Sequence, residues 1–274
     1  SLGELVHNLD GRVRFGGARF SYGNYPGGRP VAMRVDTAEV RQPRGQGISG
    51  TLRGSLRDKA FDGAFRAGTV ERILRERRTP FRFDGKGTGV HAVLSGELAE
   101  PDARTGPEIA FDVTAPRARD LAPWLGVSSQ SDARVALKGT VQMTQQRTSL
   151  IRGTALVGRT SIAGDVAWHA AGGKVIVNAN VAAELLAPAE LRGLATPTGP
   201  AQRAAIIDIP ILPESLDFTD SDVKLFVKRV DGLPLAIADL AFEGRMRGGE
   251  LKRSPLSLKL QNNALAGTLS IDAR

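Results

Sequence analysis

The sequence has no cysteine, which excludes disulfides, thiolate nucleophiles and cysteine zinc sites, and is neutral about compartment. Aromatic residues make up only 5% of the chain, against 32 glycines in 274 residues. That balance disfavours a tight aromatic core and favours an open, turn-rich β architecture. No run reaches the eighteen or so apolar residues of a transmembrane helix. No signal peptide opens the chain. The first residues, Ser1-Leu2-Gly3-Glu4, read as the middle of a longer protein.

Catalytic patterns are missing as well. The three histidines, His7, His91 and His169, lie far apart without metal-ligand spacing. No Gly-x-Ser-x-Gly elbow occurs. Gly85-Lys86-Gly87-Thr88-Gly89 has the look of a phosphate loop but lacks its full spacing and precedes a strand, so it reads as a hairpin turn. Asp112, Asp120, Asp165, Asp208, Asp217, Asp220 and Asp222 could supply paired carboxylates. Their positions suit turns, helix starts and the wet side of strands instead. The sequence therefore predicts no enzyme, no catalytic residue, no metal and no cofactor.

What the chain does have is a repeated phrase: large aliphatic, any residue, Gly, any residue, large aliphatic. It occurs at Leu52-Gly54-Leu56, Leu94-Gly96-Leu98, Leu137-Gly139-Val141, Ile162-Gly164-Val166 and Leu265-Gly267-Leu269. Roughly one hit is expected by chance, so the recurrence indicates internal repetition. On a strand, positions i, i+2 and i+4 share one face. Each phrase thus places two aliphatic side chains around a glycine gap on one side of a sheet.

Period-2 alternation runs through the chain, as in Val31-Met33-Val35, Ile109-Phe111-Val113, Val175-Val177-Ala179-Val181, Val223-Leu225-Val227 and Leu256-Leu258-Leu260. In nearly every case polar, charged or small residues intervene, which is the pattern of strands with one dry and one wet face. Gly16-Gly17, Gly27-Gly28, Gly172-Gly173, Gly248-Gly249, Asn262-Asn263 and Gln145-Gln146-Arg147 supply turns between them. Direct succession of strands predicts an antiparallel meander. Short helices are expected over 70–78, 118–125 and 183–192. Residues 194–205 carry Pro, Gly and Thr without periodicity and read as a linker. The division expected is a basic β segment (1–84), a central β segment with short helices (85–193), the linker (194–205) and a C-terminal β segment (206–274). The net charge of +8 is confined to residues 1–82, while 83–274 are balanced. Two readings stand for that excess: a surface for phosphate-bearing partners, or a solvated face of alternating strands.

In the stretch from Ile207 to Ala273, Asp208-Ile209-Pro210-Ile211-Leu212-Pro213 leads to Asp222-Val223-Lys224-Leu225-Phe226-Val227. Leu233-Pro234-Leu235, Gly249-Glu250-Leu251, Pro255-Leu256 and the closing Leu265-Ala266-Gly267-Thr268-Leu269 follow in order. The middle of the chain adds Asp120-Leu121, Pro123, Leu125-Gly126 and Ser161-Ile162-Ala163-Gly164-Asp165-Val166. This succession, over most of 85–274, resembles AsmA-like proteins, relatives of TamB and of bridge-like lipid-transfer proteins. The resemblance implies a periplasmic segment of a diderm envelope protein, held to the inner membrane by an N-terminal helix that this chain lacks. It implies a mainly β fold, a long twisted antiparallel sheet curled into a U-shaped groove with a few short helices.

The function expected is then non-enzymatic lipid transport between inner and outer membranes, with phospholipid acyl chains in the groove. Burial worth about 0.8 kcal/mol per methylene would supply the affinity. The lipid-binding residues expected are Leu94, Leu98, Ile109, Phe111, Val113, Leu137, Val141, Ile162, Val166, Val175, Val177, Val223, Leu225, Val227, Leu256, Leu258, Leu260, Leu265 and Leu269. The alternative is a periplasmic scaffold or assembly factor for outer-membrane components, acting through sheet edges. Partners would be phospholipids and outer-membrane components; nucleic acid is not expected, because few aromatic platforms stand beside the arginines.

Overall fold

The alternation seen in the sequence becomes strands. The structure, a computed structural model, describes residues 11–22, 31–43, 46–69, 78–99, 106–145, 147–171, 174–191, 194, 219–261 and 263–272. The strands are β1 (Gly11–Tyr22), β2 (Val31–Gln42), β3 (Ser49–Leu56), β4 (Lys59–Ala67), β5 (Arg78–Gly87), β6 (Val90–Ala99), β7 (Glu108–Ala115) and β8 (Val135–Met143). They continue as β9 (Thr148–Val157), β10 (Thr160–Ala171), β11 (Lys174–Leu185), β12 (Thr219–Val230), β13 (Ile237–Arg247), β14 (Glu250–Leu260) and β15 (Asn263–Asp272). They form one 15-stranded sheet in chain order. Every pairing is antiparallel except β11 with β12. There the long connection over 186–218 returns the chain to the same end, as a parallel pair requires.

Two short helical pieces sit at the opposite end, where β7 and β11 finish. The first is helix α1 (Ala118–Leu121), which runs into a 3₁₀ turn (Ala122–Leu125) and fills the expected helix over 118–125. The second is α2 (Pro188–Leu191). The helix expected over 183–192 shrinks to it, because Ala183 and Leu185 pair with Ile162 and Ser161 of β10 and so extend β11. Pro188 opens α2, where its missing N–H costs nothing. The helix expected over 70–78 and the linker over 194–205 fall almost wholly outside the described residues, although Arg78 begins β5.

Gly87-Thr88-Gly89 does connect β5 to β6 as a hairpin, and Gly248-Gly249, both at positive φ, turn β13 into β14. Gly16-Gly17 is not a turn. It lies inside β1, where Gly17 takes φ +76 opposite the bulge at Asp36. The turn between β3 and β4 uses Arg57 and Asp58 at φ 50 and 62, positions that composition did not flag. Gly27-Gly28 and Gly172-Gly173 lie outside the described residues.

The register gathers the apolar positions onto one face. One cross-strand row runs Phe15, Ala38, Leu52, Gly63, Gly85, Ala92, Val113, Leu137, Ala155, Ile162, Ala183, Val227, Leu240. It crosses thirteen strands without a polar side chain. The neighbouring row runs Gly153, Gly164, Val181, Leu225, Phe242, Leu256, Gly267.

The sheet is open, and this corrects the expected fold. No ladder joins β1 to β15, and the substantial strand contacts are all between hydrogen-bonded neighbours. No opposing wall therefore encloses the apolar face, and the U-shaped groove is absent. The chain exposes 17328 Å², whereas a compact protein of its mass exposes roughly 11,400 Å². The two clusters of buried residues lie at the end that carries the helical pieces, while Val35, Ala38, Ala167 and Leu251 are buried elsewhere along the sheet. Ala115, Ala118, Leu121, Val135 and Val157 form one cluster, with Trp124, Leu137 and Leu191 packed on it. Ala183, Val227 and Val230 form the second.

Candidate functional site

The expected lipid-binding residues share one face of the sheet, by register and by alternation along their strands. Val227 is buried; Leu98, Leu265 and Leu269 are exposed; the others are half-buried. They form a broad stripe, not an enclosed trough.

The glycine gaps between them are already filled. A Cβ on Gly54 would stand 2.0 Å from the Arg34 carbonyl oxygen, one on Gly96 2.0 Å from that of Glu108, and one on Gly164 2.2 Å from that of Asn180. On Gly139 it would meet the Leu150 side chain at 2.8 Å. Elsewhere rings lie over glycine. Phe83 would touch a Cβ on Gly63 or Gly85 at 2.5 or 2.4 Å, and Phe242 one on Gly244 at 2.5 Å. Aromatic cover of strand glycines pins register and supplies missing packing. Phe61 and Phe83 add an edge-to-face pair at 6.3 Å. The gaps expected to admit a ligand serve close strand approach. Only at Gly267, on β15, does a Cβ meet nothing, among the phrase glycines.

Concavities open on the opposite, charged face. One, about 1110 Å³, lies across β8 to β14 and is lined by Asp165, Asn178, Asn180, Asp222, Lys224, Glu243 and Arg245 among others. A second, about 810 Å³, lies across β2 to β5 and is lined by Arg41, Arg53, Arg66, Arg82 and Lys86 with Glu39, Asp62 and Asp84. Acyl chains would meet charge in these two hollows; a third, about 390 Å³, is lined by Phe226, Phe242 and Leu256 with Lys224 and Glu243, and no curled groove encloses the apolar face. The function as a lipid conduit is therefore corrected together with the groove.

The charges differ between the two halves. In the C-terminal half they are matched across strands. Lys138 pairs with Asp112, Lys224 with Glu243, Lys259 with Asp239 and Lys228 with Glu184. Arg245 and Arg247 both donate to Asp222, whose carboxyl is held below its usual range, chiefly by Arg247. Asp220 accepts the Gly248 N–H at 3.0 Å, which lowers its pKa. Arg159 bridges Glu190 and Asp231, and its backbone N–H lowers Glu190 most. Asp165 accepts the Arg152 N–H that a bulge turns outward, and Asp120 pairs with Arg117. The aspartates weighed for catalysis thus bind neighbouring cations or amides; Asp208 and Asp217 lie outside the described residues.

In the N-terminal half the acids are outnumbered. Glu39 takes Arg12 and Arg14, and these hydrogen bonds, Arg12 first, lower its pKa. Asp84 is held low mainly by His91, 2.8 Å away. Arg41, Arg53, Arg66, Arg82 and Lys86 have no ion pair among the described residues. The charge excess read from the sequence therefore lies on the wet face of alternating strands.

Among the described residues no group of three His, Asp or Glu side chains is placed to hold a metal, and no helix is long and apolar enough to cross a membrane. No family model matches the chain, and no curated protein or solved structure matches it significantly.

Proposed function

We propose that this chain is a non-enzymatic β-sheet interaction module that takes up an extended strand along the outer edge of β15. The observation that carries this is β15. All ten of its residues are exposed, and its outer side pairs with nothing among the described residues. Edge strands in monomeric proteins are commonly blunted by proline, lysine or inward charge. The sequence of β15, NALAGTLSID, has none of these before its final Asp272. Leu265, Leu269 and Ile271 are 49%, 39% and 47% exposed and continue the apolar face to the rim. An added strand with aliphatics at alternate positions would gain ladder hydrogen bonds and extend that face. The resemblance to AsmA-like proteins is the ground for placing this pairing in the periplasm, which cell fractionation of the source organism checks.

The test is amide hydrogen exchange of β15 with an added peptide of alternating aliphatic and polar residues. Protection of β15 amides by this peptide, but not by a scrambled one, is the expected result. L265K/L269K should abolish the protection while changing the urea midpoint little, since both side chains are exposed at the sheet's rim. Equal exchange with both peptides would overturn the reading. Protection that rises with protein concentration alone would assign the edge to a second copy instead.

A further inference from the structure

We propose that the polar face of β2 to β5 is a binding site for a phosphate-bearing anion, centred on Arg66 and Arg82. These two residues are direct cross-strand partners. Opposed positions on adjacent antiparallel strands bring Cβ atoms to about 4.5–5.5 Å, and like charges there are destabilising. Such a pair is normally relieved by a carboxylate. Of the two acids in the adjacent row, Glu39 pairs with Arg12 and Arg14, and Asp84 hydrogen-bonds His91 and attracts Arg82 and Lys86 only at longer range. Arg41 joins the same row through Ser49, its partner and that of Arg66. Arg53 and Lys86 flank Asp62 one row beyond the acids.

The floor between the guanidinium groups is low. Ser49, Thr51 and Ala64 line the 810 Å³ hollow with the arginines around them. Small side chains there leave space above the sheet for an anion to be gripped from several sides. Guanidinium forks match phosphate oxygens in pairs, which favours a phosphate over a carboxylate or halide. One phosphate between Arg66 and Arg82 would turn a repulsive pair into two charge-assisted contacts. The matched ion pairs of β11 to β14 leave no equivalent there. The phosphate could come from a soluble phosphoryl compound or from an anionic lipid head group at a membrane surface; the chemistry at the arginines is the same.

The experiment titrates the chain at low salt with pyrophosphate by calorimetry. In parallel it measures binding to phosphatidylglycerol and to phosphatidylcholine vesicles. The expected result is binding of at least one phosphate probe that weakens at least tenfold in R66Q/R82Q, is retained in R66K/R82K at reduced strength, and is unchanged in K224Q. Loss confined to pyrophosphate marks a soluble ligand; loss confined to phosphatidylglycerol vesicles marks a head group. The urea midpoint of R66Q/R82Q should equal or exceed that of the parent, because a repulsive pair has been removed. No binding of either probe, or equal weakening in R66Q/R82Q and K224Q, would overturn the proposal. So would a fall in the R66Q/R82Q midpoint, which would show the arginines to be structural.

Discussion

Gly54 and Gly267 stand at the same place in the same sequence phrase, yet the structure gives them different work. A methyl group on Gly54 would be driven into the Arg34 carbonyl oxygen at 2.0 Å, whereas one on Gly267 meets nothing within 4 Å. G54A should therefore cost about 1–3 kcal/mol as strand β2 is forced away. G267A should stay within about 0.5 kcal/mol of the parent. Urea midpoints of the two variants check this, and equal midpoints would contradict it. The repeat was legible in the sequence; its meaning was not. A glycine gap on a sheet face can admit a ligand, a ring or a neighbouring backbone. Only the placement of Arg34, Phe83 and Leu150 shows that this sheet fills most of its own gaps.

At the scale of elements, α1 and the 3₁₀ turn after it supply the packing that the open face lacks. Leu121 is 6% exposed and lies among Ala115, Val135 and Val157, while Trp124 covers Gly87. L121A should cost about 2–5 kcal/mol, because little around it can collapse into the cavity. Hydrogen exchange should show the loss first in the capped ends of β7, β8 and β9. Uniform loosening along these strands would show that the cap does not anchor this end. The strands were readable because alternation needs only the local sequence. The helix over 118–125 was readable for a similar reason, its Gly126 stop. The helix over 183–192 failed because pairing of Ala183 with Ile162 outweighed a weak local preference, as tertiary context does for short segments. The parallel pairing of β11 with β12 was hidden behind the long connection between them.

The charged face behaves as a unit at the scale of the whole molecule. Glu39, Asp84, Glu190, Asp220 and Asp222 all have carboxyls held below their ordinary range, by Arg12, His91, the Arg159 N–H, the Gly248 N–H and Arg247 respectively. A folded pKa below the unfolded one means that the unfolded chain binds more protons as pH falls. The stabilisation is complete above about pH 5 and is lost as pH drops through the folded values. The urea midpoint should therefore be steady from pH 7 to 6 and fall progressively toward pH 3. A midpoint that held or rose at pH 3 would refute the assignment. Each pair is exposed and screened, so the decline should be gradual and shared across the face.

The sequence alone determined that this chain is mainly β, that its strands have one dry and one wet side, and that its positive charge lies at the N-terminal end. Those properties follow from period-2 patterning and composition, which are local. The apolar residues named from the sequence do share one face, because the strands pair in chain order and their bulges keep the aliphatics aligned. Tertiary structure decided whether that face closes. The pattern of a curled trough and that of an open sheet are the same along each strand. They differ in the twist and bend between strands, which depend on where bulges fall and what fills each glycine gap. It also decided which charges meet: arginines, lysines and acids form paired ladders over β11 to β14, whereas Arg41, Arg66 and Arg82 share a row over β2 to β5 with no ion pair among the described residues.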